Sequence, residues 1–207
     1  LQAGGTWLGI TRTGRFAAVT NVRDPGLRTA AVPFGSRGLM VKAFLLSECD
    51  PQAYAEQMLD AVSEASPYNL ILGQIHTDSV QALWLGGRSR SLMSLQEGSH
   101  VLSNAELNTP WPKAQRLKAV LATEDAVAID AVMHSQTLAS DDELPATGVS
   151  FDWEKRLSAA LITGEDYHTR SSTLIQLDPR KASVREITWS PSASAVNTLH
   201  EHFEFIR

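Results

Sequence analysis

The chain has 207 residues, 43% of them hydrophobic, enough to bury a sizeable core without disulfide or metal staples. A formal net charge of -5, with Lys and Arg scattered along the sequence, excludes a general nucleic-acid surface, which needs clustered cations to displace phosphate counterions. No apolar run reaches membrane-spanning length, and Cys49 is the single cysteine, so no intrachain disulfide forms and a cytoplasmic protein without a membrane span is expected.

The first elements are two apolar strands. Gly4-Gly5-Thr6-Trp7-Leu8-Gly9-Ile10 runs through Thr13-Gly14 into Arg15-Phe16-Ala17-Ala18-Val19-Thr20-Asn21, a hairpin on a glycine turn. A hairpin needs a sheet to pack into, and three residues precede this one, so the numbering is expected to start inside a domain. Residues 21–26 read as a turn, and 28–35 as a loop with an apolar patch at 30–32. Ser36 can cap a helix over 37–46; Asp50-Pro51 opens a second helix to about residue 65, stopped by Ser66-Pro67. The period then changes. Segments 69–76 and 80–85 read as paired strands across Thr77-Asp78-Ser79, and 91–95 and 100–104 continue a β-rich middle.

Pro112 sits near the first position of a helix over 113–121, and Glu124-Asp125 opens another through about residue 138. Segment 140–150 is a polar loop and 152–161 a short helix. Residues 167–178 are mostly strand and turn at Asp178-Pro179-Arg180-Lys181 into a strand over 183–189. The tail, 195–207, is amphipathic and either helical or partly extended. Without an internal repeat or a composition break, 1–207 reads as one domain.

Local signatures of chemistry are absent: no P-loop, Rossmann glycine fingerprint, paired-cysteine zinc pattern, HExxH or GxSxG is present. Neither a cofactor nor a metal is called for. His200-Glu201-His202 would share a face only on a strand, and reads as a surface pair. Cys49 follows the apolar Phe44-Leu45-Leu46 and reads as a small buried hydrophobe. The five tryptophans read as core packing, with a pocket for an acyl chain or flat macrocycle as the alternative. Polar residues at strand ends are more suggestive, because a sheet holds them rigidly: Asn21 ends the second strand, Asn104 ends Leu102-Ser103-Asn104, and Arg170 enters Ser171-Ser172-Thr173. Each asparagine also has a plain structural use, satisfying turn backbone.

Gly4-Gly5-Thr6-Trp7-Leu8-Gly9, Thr20-Asn21, Leu102-Ser103-Asn104-Ala105 with Thr109-Pro110-Trp111-Pro112-Lys113, and Tyr167-His168-Thr169-Arg170-Ser171-Ser172-Thr173 together resemble the NRDE protein family, also called the transport and Golgi organisation protein 2 family. The family is similar to N-terminal nucleophile hydrolases. That resemblance implies an α+β fold, a four-layer αββα sandwich incomplete at its amino terminus. It also implies a terminal cysteine nucleophile whose own α-amine is the base, placed with the Asn-Arg-Asp-Glu motif upstream of Leu1. Asn21-Val22-Arg23-Asp24 is not that motif, since it follows the tryptophan hairpin and carries an inserted valine.

On this resemblance Asn21 and Asn104 become oxyanion or substrate contacts, and Arg170 and Arg23 substrate-binding residues. Arg170 equally suits a structural ion pair. Two functions follow: hydrolysis of nonpeptide carbon-nitrogen bonds in a small-molecule amide, or non-catalytic binding and trafficking of a hydrophobic ligand such as haem or an acyl lipid.

Overall fold

A computed structural model of the chain describes residues 4–27, 30–123 and 125–206. The expected loop positions Arg28 and Thr29, the helix-opening Glu124, the three residues before the hairpin and the terminal Arg207 lie outside the described residues. The expected α+β class holds: five α-helices and two antiparallel sheets are present among the described residues. They fall into two compact units, the first built from residues up to 97 with 102–107 and 205–206, the second from 98–101 and 108–204.

In the first unit, β1 (Leu8–Ile10), β2 (Arg15–Asn21), β3 (Tyr68–Ile75), β4 (Val80–Gly86) and β5 (Ser91–Ser94) pair in sequence order as an antiparallel meander. Register sets the core. Ala17 lies opposite Leu72 and Val19 opposite Leu70, while Leu70 and Leu72 lie opposite Leu85 and Leu83. Because side chains alternate across a sheet, these rows share one face. Helices α1 (Arg37–Leu46) and α2 (Pro51–Asp60) cover it with Met40, Val41, Phe44, Tyr54, Ala55 and Met58. Each fully buried leucine contributes about 1.5–3 kcal/mol.

Asp50 caps α2, its Oδ1 accepting from the N–H groups of Gln52 at 2.8 Å and Ala53 at 3.2 Å. The helix ends at Asp60, five residues before the expected end, and the Arg90 guanidinium takes the carbonyl of Val62. The Tyr54 hydroxyl donates to the Met40 carbonyl at 2.7 Å, and burial raises its pKa above the usual tyrosine value.

The second unit carries β6 (Ser171–Leu177), β7 (Lys181–Trp189) and β8 (Ala195–Glu204), again antiparallel and in order. The ambiguous tail is therefore a strand, and its extended backbone puts the exposed His200 and His202 on one face. Its helices are α3 (Pro112–Leu121), α4 (Ala126–Met133) and α5 (Phe151–Leu157). Helix α4 stops short of 138 because the chain beyond it bonds elsewhere: the Ser135 carbonyl accepts from Leu161 N–H at 2.9 Å, and Ala139 N–H donates to Ser158 Oγ at 2.9 Å. The Arg185 guanidinium on β7 forks onto the Asp130 carboxylate of α4, the bond from Nη1 measuring 3.0 Å. No helix among the described residues is long and apolar enough to cross a membrane.

Candidate functional site

The far end of β2 carries a cluster of amides and hydroxyls. Segment 100–104 is not the strand its composition suggested. The carbonyls of residues 103–105 are taken by other partners than a neighbouring strand's ladder: that of Ser103 accepts from Thr20 Oγ1 at 3.0 Å, that of Asn104 from Arg23 N–H at 2.7 Å, and that of Ala105 from Asn69 Nδ2 at 2.8 Å. With these carbonyls engaged, residues 103–105 lie against the sheet of the first unit without joining it.

Asn69 organises this contact. It is fully buried on β3, one residue along from Tyr68, on the sheet face opposite α1 and α2. Its Oδ1 accepts from Trp84 Nε1 at 3.1 Å, and its Nδ2 donates to Thr20 Oγ1 at 3.2 Å as well as to Ala105. Opposite Asn69 stands Gly86, where a Cβ would lie 2.6 Å from the Trp84 ring; only glycine lets the indole reach across to the amide. Sequence reasoning read Asn69 as part of an apolar strand; the signal it carried was a lone amide in the run Asn-Leu-Ile-Leu-Gly.

The expected site residues distribute as follows. Asn104 Nδ2 donates to the backbone carbonyl of Asn21 at 3.0 Å, so these two positions meet. The Asn21 side chain itself is exposed, and by strand alternation it shares the face of Ala17 and Val19, not that of Thr20. Arg23 joins through its backbone N–H to Asn104. Val22 N–H extends the β2 to β3 pairing by donating to the Pro67 carbonyl at 3.1 Å. Nearby, Asp24 accepts from Gly26 N–H at 3.0 Å and pairs with Arg88 at 3.1 Å. Arg170 belongs to the second unit, exposed immediately before β6, its carbonyl accepting from Trp189 N–H at 2.9 Å. Of the tryptophans, Trp84 is core, whereas Trp7 is 52% exposed and departs from the packing role expected of it.

Chemically, Thr20 and Asn69 spend their donors on holding the segment, and Asn104 is the member of the cluster that can donate a hydrogen bond to developing negative charge. Asn104 Nδ2 spends one of its two hydrogens on Asn21 and keeps a second. The asparagine amides do not titrate, so these donors are the same at any pH the fold tolerates.

Comparison with known proteins agrees with the residue blocks. The profile of the family described as Transport and Golgi organisation 2 matches residues 1–190. A Bos taurus protein, Transport and Golgi organization protein 2 homolog, is 30% identical over 193 positions, covering 86% of this chain and 69% of the relative. A Mus musculus protein, Transport and Golgi organization 2 homolog, is 26% identical over 200 positions with the same coverage, 86% and 69%. The Homo sapiens protein named Transport and Golgi organization protein 2 homolog is 33% identical over 142 positions, 68% of this chain and 48% of the relative. With the profile spanning almost the whole sequence and mammalian relatives aligned over most of it, the chain belongs to the Transport and Golgi organisation 2 family.

Proposed function

We propose that this chain forms the body of an amidohydrolase of the N-terminal nucleophile type, cleaving a nonpeptide carbon-nitrogen bond in a small-molecule amide. A terminal cysteine from polypeptide preceding Leu1 attacks the amide carbonyl, its own α-amine taking the thiol proton and passing it to the leaving amine as the carbon-nitrogen bond breaks; water then hydrolyses the thioester and frees the thiol. Asn104 donates its second amide hydrogen to the tetrahedral oxyanion, and Asn21, with Arg23, contacts the substrate. The observation that carries the reading is the 3.0 Å bond from Asn104 to the Asn21 carbonyl, which holds one amide in a fixed direction at a strand end.

The test uses the longest natural form of the protein, with its mature amino terminus established by intact mass. A thiol-reactive acyl amide should leave an adduct on a terminal cysteine. Asn104→Ala should then slow acylation by about 100-fold or more, as for loss of an oxyanion donor, with substrate binding weakened far less. A blocked or missing terminal cysteine rejects the enzyme, and equal losses in rate and binding reject the oxyanion role.

A second reading is favoured by the same bond: because Asn104 already serves the backbone, the cluster suffices as a clasp in a non-catalytic binding protein. Such a protein should show a saturable thermal shift with haem or acyl-CoA and no adduct.

A further inference from the structure

A cavity of about 420 Å³ opens in the first unit, walled by Gly5, Trp7, Ala30, Val32, Ser36 and Arg37. It lies on the sheet face covered by the helices: Trp7, whose carbonyl accepts from Val19 N–H at 2.9 Å, stands opposite Val19 and shares its face. Asn21, two residues further along β2, projects to that face as well. Among the described residues no carboxylate lines the cavity, and the first turn of α1 holds no acidic residue.

The donors are unspent. Arg37 Nε is buried with no hydrogen-bond partner, a costly state for a buried polar group and more so for a charged one. The Arg37 guanidinium forms no ion pair among the described residues. Ser36, the N-cap of the ten-residue α1, makes no side-chain capping bond. In the first turn of α1 the Leu39 N–H donates to the Ser36 carbonyl at 3.1 Å, while the N–H groups of Arg37 and Gly38 have no partner within the helix and carry the positive end of its dipole. Close backbone approach makes the wall: Thr6 N–H donates to the Gly38 carbonyl at 3.0 Å, and a Cβ on Gly5 would lie 2.5 Å from the Gly38 backbone. The half-exposed indole of Trp7 and Val32 line the same cavity and offer it an apolar surface.

We infer that this cavity binds a small organic anion, its carboxylate or phosphate held by the Arg37 guanidinium, the Ser36 hydroxyl and the start of α1, and its apolar body laid against Trp7 and Val32. Arginine is suited to the headgroup because its planar fork matches two anion oxygens at once. The inference needs no nucleophile, so it stands or falls apart from the hydrolase reading.

Phenylacetate, phenyl phosphate, inorganic phosphate and the neutral phenylacetamide are titrated against the protein, with the Trp7 indole N–H followed by NMR and affinity by calorimetry. One of the two aromatic anions should bind saturably and move the Trp7 resonance, at least tenfold tighter than phenylacetamide; the tighter of the two names the headgroup. Arg37→Gln should weaken that anion tenfold or more while the Tm holds or rises, because the substitution removes a buried donor that nothing satisfies. Trp7→Leu, at an exposed position, should weaken the aromatic anion and leave inorganic phosphate unchanged. Equal binding of amide and anion, no saturation by any anion, or an unaltered affinity in both variants overturns the inference. A fall in Tm on Arg37→Gln with affinity intact does the same, assigning Arg37 to the fold instead.

Discussion

At the scale of single residues, Asn69 matters more than the two asparagines that stand at strand ends. It is 0% exposed and all its hydrogen-bonding capacity toward Trp84, Thr20 and Ala105 is used, so both its donors and its acceptor are matched. Asn69→Leu keeps the volume and deletes the amide, leaving the Trp84 N–H and the Ala105 carbonyl without this partner inside a packed face. The expected cost is about 2–4 kcal/mol in urea unfolding, with faster hydrogen exchange around 103–105. A loss under about 0.5 kcal/mol would mean that water replaces the amide and that the clasp is not what holds the segment. Asn104 and Asn21 were legible as strand-end amides, but Asn69 was not, because a polar residue within an apolar strand declares itself only when its partners, 36 and 15 positions away, are known.

At the scale of elements, β2 and α1 are joined by a side chain that composition marks only as one more surface cation. Arg15, the first residue of β2, is 8% exposed and lies under the C-terminus of α1. Its Nε donates to the Phe44 carbonyl at 3.2 Å, its Nη2 to Ser47 Oγ at 3.3 Å and to the Cys49 carbonyl at 2.8 Å, and its guanidinium sits 4.0 Å above the Phe44 ring. Phe44 is in the last turn of α1 and Cys49 lies three residues past its end, so the cation sits at the helix C-terminus, where it complements the dipole. Burial lowers the Arg15 pKa from its ordinary value, partly offset by neighbouring Cys49 and Asp50, and the acceptors keep the group useful as a cation. Arg15→Met, which retains the stem, should destabilise the protein by roughly 2–4 kcal/mol by chemical denaturation, and Arg15→Lys by less, since one ammonium restores the charge but not the fork. Equal losses in the two variants would assign the effect to stem packing. The same logic separates what was readable among the elements from what was not. Helices opened by Asp50-Pro51 and Pro112, and strands such as β3 and β4 that alternate about a short turn, carry their cause locally. The segment 100–104 looks equally apolar, yet the carbonyls of Ser103 and Asn104 are claimed by Thr20 and Arg23, and that of the following Ala105 by Asn69, which no local pattern encodes.

At the scale of the whole molecule, the two units are held by chemically different means, and acid should tell them apart. Asp130, Glu143, Asp166 and Asp178 all lie in the second unit, and each is held below its ordinary pKa. Hydrogen bonds are the leading cause in every case: from Arg185 to Asp130, from Ser140 to Glu143, from Arg156 to Asp166, and from the Arg180 N–H to Asp178. A carboxylate with a folded pKa below its unfolded one stabilises the fold fully above the unfolded value, near about 4, and that contribution fades as pH falls through the folded value. The groups are solvent-facing, so each effect is small, but all act with the same sign. The principal ties of the first unit, the leucine rows and the Arg15 guanidinium, neither gain nor lose a proton in this range. Hydrogen exchange from pH 5 to 2.5, corrected for intrinsic rates, should therefore show β6 and β7 losing protection before β3 and β4. Asp130→Asn should be less stable than the parent at pH 7 and converge with it as pH falls through the folded Asp130 pKa, because acid removes from the parent the charge that the substitution has already deleted. Earlier opening of β3 and β4, or a gap between variant and parent that persists in acid, would show that packing of the second sheet, rather than its carboxylates, sets the acid limit.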